Sequence, residues 1–219
     1  MQSKWISRGR CPCGESNNGY NIHADGHAFC FSCNKRFNNV GEAKVQSKVV
    51  EIQNRVSSTG DYGSITDRRI SEHTARKYRT KIKTNGSMIT HHYYEYFNTE
   101  GSHVATKIRQ VEGKRIWSQG DMGDALLFGQ NLFKSGGKYI TITEGEIDAM
   151  STYEMLGSKW AVVSIKNGVQ SAVQNCKQHL EYLNSFDNVV VCFDNDKPGI
   201  EASQKVAQLF EPNKCKIVR

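Results

Sequence analysis

From Lys138 onward the sequence alternates between short β-prone runs and helical stretches. The pattern predicts strands at 139–143, 161–165 and 189–193 and a last strand in "KCKIVR". Helices are expected between them at 146–156, about 171–186 and 199–210, the first stopping at Gly157 and the last before Pro212. Strands separated by helices mean a mostly parallel sheet with crossover helices. The fold class expected is therefore α/β in this part, and α+β over the whole chain.

In open sheets of this kind functional groups gather just past the carboxyl ends of the strands. The first strand runs into "TEGEID", which places Glu144 there, and the third runs into "FDND", which places Asp194 and Asp196 there. Two acids in D-x-D spacing point the same way on an extended segment. Such a cluster repels itself unless a cation sits in it. Mg2+ suits it, because that ion takes a few carboxylates, keeps several waters and is completed by phosphate oxygens. One or two such ions serve phosphoryl transfer. Glu146 and Asp148 fall in the first turn of the following helix, where acids favour the macrodipole. For these two a helix-start role weighs at least as much as metal binding.

The chain before Lys138 reads differently. Residues 1–37 carry "CPCG" and "YNIHADGHAFCFSC", with Asp25-Gly26 as a two-residue hairpin signal between short β-prone runs. This unit is too small for a sufficient core and needs a staple. Cys30-x-x-Cys33 is one half of a zinc site, and Cys11-Pro12-Cys13 supplies the other half with an unusual C-x-C spacing. Four thiolates would close a structural tetrahedral Zn2+ site. The proline constrains the first half and leaves His27 or His23 open as a substitute ligand. Tyr20, Phe29 and Phe31 suit either the small core of this ribbon or stacking on unpaired bases.

Residues 38–61 contain no aromatic side chain and read as a polar linker, with a short helix expected around Glu42–Arg55. From Tyr62 a second unit begins. Ser71 is expected to cap a short helix in "SEHTARKY". "ITHHYYEYF" and "HVATKIRQV" flank "NTEG" as a hairpin. Lys107 and Arg109 alternate on the second of these strands, so both face one side of the sheet. Either this is a solvated edge strand, or it is a cationic wall opposite the acids. Lys114 and Arg115 follow closely. The domain division is thus 1–37, 38–61, 62–137 and 138–219.

The charge distribution fits a polyanion beside a cation site. The chain carries a net charge of +7. Residues 60–120 hold 11 basic and 6 acidic residues, and residues 121–219 hold 10 basic and 12 acidic. A basic middle next to an acidic end suits this, although a solvated surface explains the charge alone equally well. No run is apolar and long enough to span a membrane, and the first residues lack the apolar core of a signal peptide. A cytoplasmic setting is expected. There the clustering of four of the seven cysteines between Cys11 and Cys33 favours metal over disulfides.

"TEGEID" and "FDND" resemble the two acidic motifs of the TOPRIM fold. In order along the chain, "DGHAFCFSC", "RRIS", "ATKIRQ", "DALLFG", "TEGEID" and "FDND" are similar to the primase half of the T-seven-type phage primase–helicases. In that family a zinc-binding domain precedes an RNA polymerase domain that ends in TOPRIM. The resemblance implies that Lys107 and Lys114 handle nucleotide, with Arg115 as an alternative to Lys114 because the spacing differs. It also implies that Asp25 and His27 help recognise template DNA. The family has C-x-x-C where this chain has Cys11-Pro12-Cys13. A further acidic motif follows the last strand in the family, whereas this sequence stops at Arg219. Either it is a fragment of a longer protein or that third ligand is absent.

The function this implies is a DNA-dependent RNA primase. Its partners would be single-stranded DNA, ribonucleoside triphosphates, a replicative helicase and a DNA polymerase, with no membrane. Zn2+ would be structural and Mg2+ catalytic. A TOPRIM nuclease would use the same carboxylates for hydrolysis, and a catalytically silent DNA-binding adaptor would use none of them.

Overall fold

The computed structural model describes the backbone of residues 5–9 and, with side chains, residues 20–30, 33, 35–38 and 59–218. The chain divides into two units, Met1–Arg55 and Val56–Arg219. The expected helix around Glu42–Arg55 lies outside the described residues, as do Cys11, Cys13 and Phe31.

In the first unit, strands β1 (Trp5–Gly9), β2 (Tyr20–His23), β3 (Ala28–Cys30) and β4 (Lys35–Phe37) pair antiparallel in that order. The β2–β3 hairpin forms where Asp25-Gly26 predicts it, but its loop is three residues long. Gly26 N–H donates to His23 O at 3.1 Å, and His23 N–H donates to His27 O at 2.8 Å. Gly26 takes the left-handed position at φ 82°, as a type I turn with a bulge requires. Tyr20, Ala28 and Cys30 are buried, with Ile22, Cys33 and Phe37 packed against them. Tyr20 meets Phe37 edge to face at 5.2 Å. A core this small needs the staple the composition anticipates.

The second unit carries two sheets. Helix α1 (Glu72–Lys77) starts at Ser71, whose hydroxyl accepts the Thr74 N–H at 3.3 Å. Strands β5 (Thr80–Asn85), β6 (Met88–Phe97), β7 (His103–Gln110) and β8 (Ile116–Gly120) form an antiparallel meander in chain order. β7 therefore lies inside its sheet, which removes the reading of it as a solvated edge strand.

The second sheet is parallel, in the order β10 (Ala161–Ser164), β9 (Gly137–Thr143), β11 (Phe186–Cys192), β12 (Cys215–Ile217). Its helices are α2 (Glu146–Met155), α3 (Ala172–Gln178), α4 (Leu180–Asn184) and α5 (Lys197–Ala207). The single helix expected over 171–186 is broken at His179 (φ −114°, ψ 21°). β11 also begins earlier than the pattern suggested, because Phe186 is already paired with Gly137.

The alternation of β10 separates two cores. Val163 joins the cluster of Ile140, Ile142, Val189 and Val191 with α3, α4 and α5. Val162 joins Tyr78, Tyr94, Tyr96, Phe128 and Met150, which lie between α2 and the meander. Within "DALLFG", Phe128 bridges to Ser164, and a side chain at Gly129 would come within 2.7 Å of the Tyr78 ring. Tyr78 in turn donates its hydroxyl to Val162 O at 2.9 Å.

Candidate active site

The centre of the parallel sheet is a topological switch point. From β9 the chain crosses to β10 on one side and later returns to β11 on the other. The ligand crevice of such sheets lies at the carboxyl ends of these central strands. Here the three strands end level, with Thr143 opposite both Ser164 and Cys192. Glu144 and Asp194 therefore emerge side by side, and the Asp194 N–H donates to Glu144 Oε2 at 3.4 Å.

Four carboxylates sense one another there. Burial raises the Glu144 carboxyl above its ordinary range, with the charges of Asp194, Asp196 and Asp148 adding to the rise against the Asp194 N–H. Burial also raises Asp148, helped by Asp194 and Glu146 and opposed by the Gly145 N–H and by Arg68. Burial and the charges of Asp148 and Asp194 push up the Cys192 thiol as well. The potential at the strand ends is thus strongly negative.

The backbone holds this arrangement closely. A side chain on Gly199 would come within 2.0 Å of Asp194 O, and one on Gly145 within 2.7 Å of Asp148 Oδ2. Asp196 has a local task too, since its Oδ1 accepts the Gly199 N–H at 2.8 Å and caps α5. Among the described residues no three Asp, Glu, His or Cys side chains lie close enough to share one ion as they stand. The donor chemistry nevertheless suits a hard cation: oxygen-only ligands, partly desolvated and mutually repelling.

The two first-turn acids of α2 behave differently from each other. Asp148 belongs electrostatically to the cluster, a role the spacing E-G-x-x-D signals by putting it one turn beyond Glu144. Glu146 faces the other way. It is buried, and its Oε1 accepts from both Lys107 Nζ and the Tyr96 hydroxyl. A helix-start role alone therefore does not describe it. Lys107 is 8% exposed and lies 5.7 Å from the Tyr96 ring centroid. The expected cationic wall does approach the acidic end, through this pair. Arg109 follows two residues later on the same face of β7, half-buried.

Lys114 and Arg115 are exposed in the turn between β7 and β8, roughly 10 Å beyond Lys107 along the hairpin. Arg115 lies 5.9 Å from the Trp117 ring. Lys107 and Lys114 thus do not stand as a close pair. In the first unit, Asp25 and His27 meet at the hairpin tip, where the Asp25 carboxylate contacts His27 Nδ1. The His27 ring stacks on His23 at 4.2 Å. Cys30 is buried and Cys33 half-buried in the same small core.

Two further groups were not expected as site residues, although Lys166 directly follows the strand expected at 161–165 and Arg68 lies in "RRIS". Lys166, at the end of β10, is buried and donates to Ala125 O at 2.6 Å, tying "DALLFG" to the sheet. Arg68, in "RRIS", lies near enough to Asp148 to favour its ionised form.

A Toprim-like family model matches residues 141–219. The chain is 32% identical to the DNA helicase/primase of Enterobacteria phage T3, over 94% of its own length and 38% of that protein's. It therefore spans well under half of this relative. Among solved structures, the primase fragment of the bacteriophage T7 primase–helicase superposes with a TM-score of 0.65 at 26% identity, covering 99% of this chain and 90% of that one. A second match has a TM-score of 0.67 at 30% identity and covers 75% and 85%. It comes from a complex of the T7 lagging-strand DNA polymerase with primase domains bound to an RNA/DNA hybrid and dTTP. No helix among the described residues is long and apolar enough to cross a membrane. The chain belongs to the family of T3- and T7-type phage primase–helicases and corresponds to their primase part.

Proposed function

We propose that this chain is a DNA-dependent RNA primase, joining ribonucleoside triphosphates on a single-stranded DNA template during phage DNA replication. One observation carries the reading: the acidic cluster at the sheet's switch point is joined, through Glu146 on the first turn of α2, to the basic strand β7 of the other sheet. Catalysis of this kind is mostly positioning and charge neutralisation.

Glu144, Asp194 and Asp196, with Asp148 beside them, would hold Mg2+. When bound there, Mg2+ would neutralise charge developing on the phosphoryl oxygens and favour ionisation of the attacking 3′ hydroxyl. That oxygen forms a bond to the α-phosphorus of the next nucleotide. The bond from the α-phosphorus to the bridging oxygen breaks, pyrophosphate leaves, and the hydroxyl proton passes to solvent. Lys107 has three ammonium protons. Glu146 and Tyr96 hold the group in place, and protons not engaged by Glu146 serve the triphosphate together with Arg109. Lys114 and Arg115, farther along the hairpin, suit the nucleic-acid backbone or an outer phosphate.

Residues 1–37 form the template-reading unit in this account. Cys11, Cys13, Cys30 and Cys33 hold a structural Zn2+, Asp25 and His27 contact the template, residues 38–61 link the units, and 62–137 and 138–219 make the polymerase. The T7 complex, with its DNA polymerase and RNA/DNA hybrid, supports a DNA polymerase as a partner here, and the T3 helicase/primase supports a replicative helicase. Incubation with single-stranded DNA, Mg2+ and labelled ribonucleotides tests the proposal. Short template-dependent RNA is expected, whereas nicked or shortened DNA without RNA would favour a nuclease.

A further inference from the structure

Register separates the two faces of the meander sheet. Lys107 stands opposite Tyr94, and Arg109 opposite His92. Tyr94 packs in the core shared with α2, and His92 Nε2 lies 3.3 Å from Asp67 Oδ1. That face is the inner one. Alternation turns His91, Tyr93, Gln110, Arg115 and Trp117 to the outer face.

The outer face holds rings that no core accounts for. Trp117 is half-buried and pairs in register with Ile108. Its ring meets that of His91, also half-buried, edge to face at 6.0 Å, and His91 lies 6.2 Å from Tyr93. Neither Tyr93 nor Trp117 belongs to the two hydrophobic clusters of this unit.

Cations bracket the rings. Lys83 on β5 and Gln110 on β7 both stand opposite His91, and the Gln110 N–H donates to Arg115 O at 2.9 Å. One row across the sheet thus reads Lys83, His91, Gln110, Arg115. Its two charges are about 14 Å apart, at three strand spacings. Both are exposed, and among the described residues neither forms an ion pair. The Arg115 guanidinium lies 5.9 Å from the Trp117 ring. Glu95, the acid on this face of β6, is neutralised by Lys81 at 3.0 Å, and Glu112 in the β7–β8 turn is offset by neighbouring Lys114.

Accessible rings between unpaired cations are what hold an unpaired nucleic-acid strand, because bases stack on the rings while phosphates meet the charges. In a duplex the base faces are covered by their own stack. Lys107 and Arg109 lie on the opposite face, so this surface is separate from the crevice and its nucleotide.

We propose that the outer face of the meander is a docking surface for single-stranded DNA, with His91 and Trp117 stacking on bases and Lys83 and Arg115 meeting phosphates. The choice of DNA rests on the polymerase reading, in which the template is DNA, but the binding requires no synthesis.

The test is fluorescence anisotropy of the full chain with labelled oligothymidine of about 15 nucleotides, without ribonucleotides and over a range of salt. Trp117→Ala should weaken binding about five- to a hundredfold, the range for one lost stacking platform, and Trp117→Phe should restore most of it. His91→Ala gives the same reading from the neighbouring strand should Trp117→Ala unfold. Lys83→Glu should weaken binding and reduce the slope of log affinity against log salt by about 0.7, the share of one phosphate on a single strand. Mg2+–ATP binding should match the parent's in all of these variants, and duplex DNA should compete poorly. Parental affinity in the ring variants and in Lys83→Glu would overturn the proposal. So would equal competition by duplex DNA, stronger competition by oligouridine than by oligothymidine, or no binding of oligothymidine by the parent. A parent that makes no RNA yet binds oligothymidine through Trp117 would uphold this surface and count against the polymerase reading alone.

Discussion

Lys107 and Glu146, 39 positions apart, form a buried ion pair that joins the meander sheet to the first turn of α2, with Tyr96 as a third member. The pair brings basic strand and acidic crevice together. It also makes Lys107 costly to alter, because a lone carboxylate would remain in a desolvated place.

Lys107→Met should therefore lower the unfolding free energy by about 3–5 kcal/mol, and Lys107→Met with Glu146→Leu should recover much of that loss. Neither variant should bind Mg2+–ATP at parental strength. Urea unfolding and nucleotide titration check the two parts separately.

The crevice acids should behave in the opposite sense. Glu144 and Asp148 have carboxyl pKa values raised above their ordinary 4.5 and 3.8. The folded state then holds protons that the unfolded state releases, so stability falls as pH rises from those ordinary values through the raised ones. Above that window the full cost of ionisation is present. In EDTA at pH 7, Glu144→Gln and Asp148→Asn should melt at the same temperature as the parent or higher. Adding Mg2+ should raise the parent's melting temperature and leave the variants little changed.

Gly199→Ala tests whether backbone packing sets the crevice. Its new methyl would overlap Asp194 O. We expect a loss of about 1–3 kcal/mol from overpacking, together with loss of the Mg2+-dependent rise in melting temperature. A melting profile recorded with and without Mg2+ reports both.

The ribbon should depend on metal. Cys30 is buried in a core of few side chains, and a structural Zn2+ supplies folding energy to such units. Cys30→Ser, Cys11→Ser and Cys13→Ser should each reduce bound zinc, measured by atomic absorption, from about one per chain to none. The circular dichroism of the larger unit should persist. Full zinc retention in both Cys11→Ser and Cys13→Ser would remove these residues from the ligand set.

Much of the architecture was legible because it follows from local pattern. The β–α alternation, the β6–β7 hairpin, the Ser71 cap and the acids at two strand ends all rest on neighbouring residues. Relationships that depend on distant partners were not legible. Nothing near Glu146 announces Lys107, and nothing near Asp67 announces His92, 25 positions away. Local rules also met competition. The helical pattern over 171–186 is interrupted at His179, and Phe186 is drawn into the sheet by pairing with β9. Asp196 reads as a metal ligand from D-x-D spacing, yet one of its oxygens also caps α5.

The most direct measurement compares the parent with Asp194→Asn in Mg2+-dependent RNA synthesis on single-stranded DNA, with thermal unfolding recorded for both. The account predicts short RNA from the parent and a loss of about a hundredfold or more in the variant, whose fold is retained. An Asp194→Asn protein that unfolds more easily yet makes RNA at the parental rate would contradict it, because the crevice would then be a structural network and not the catalytic centre.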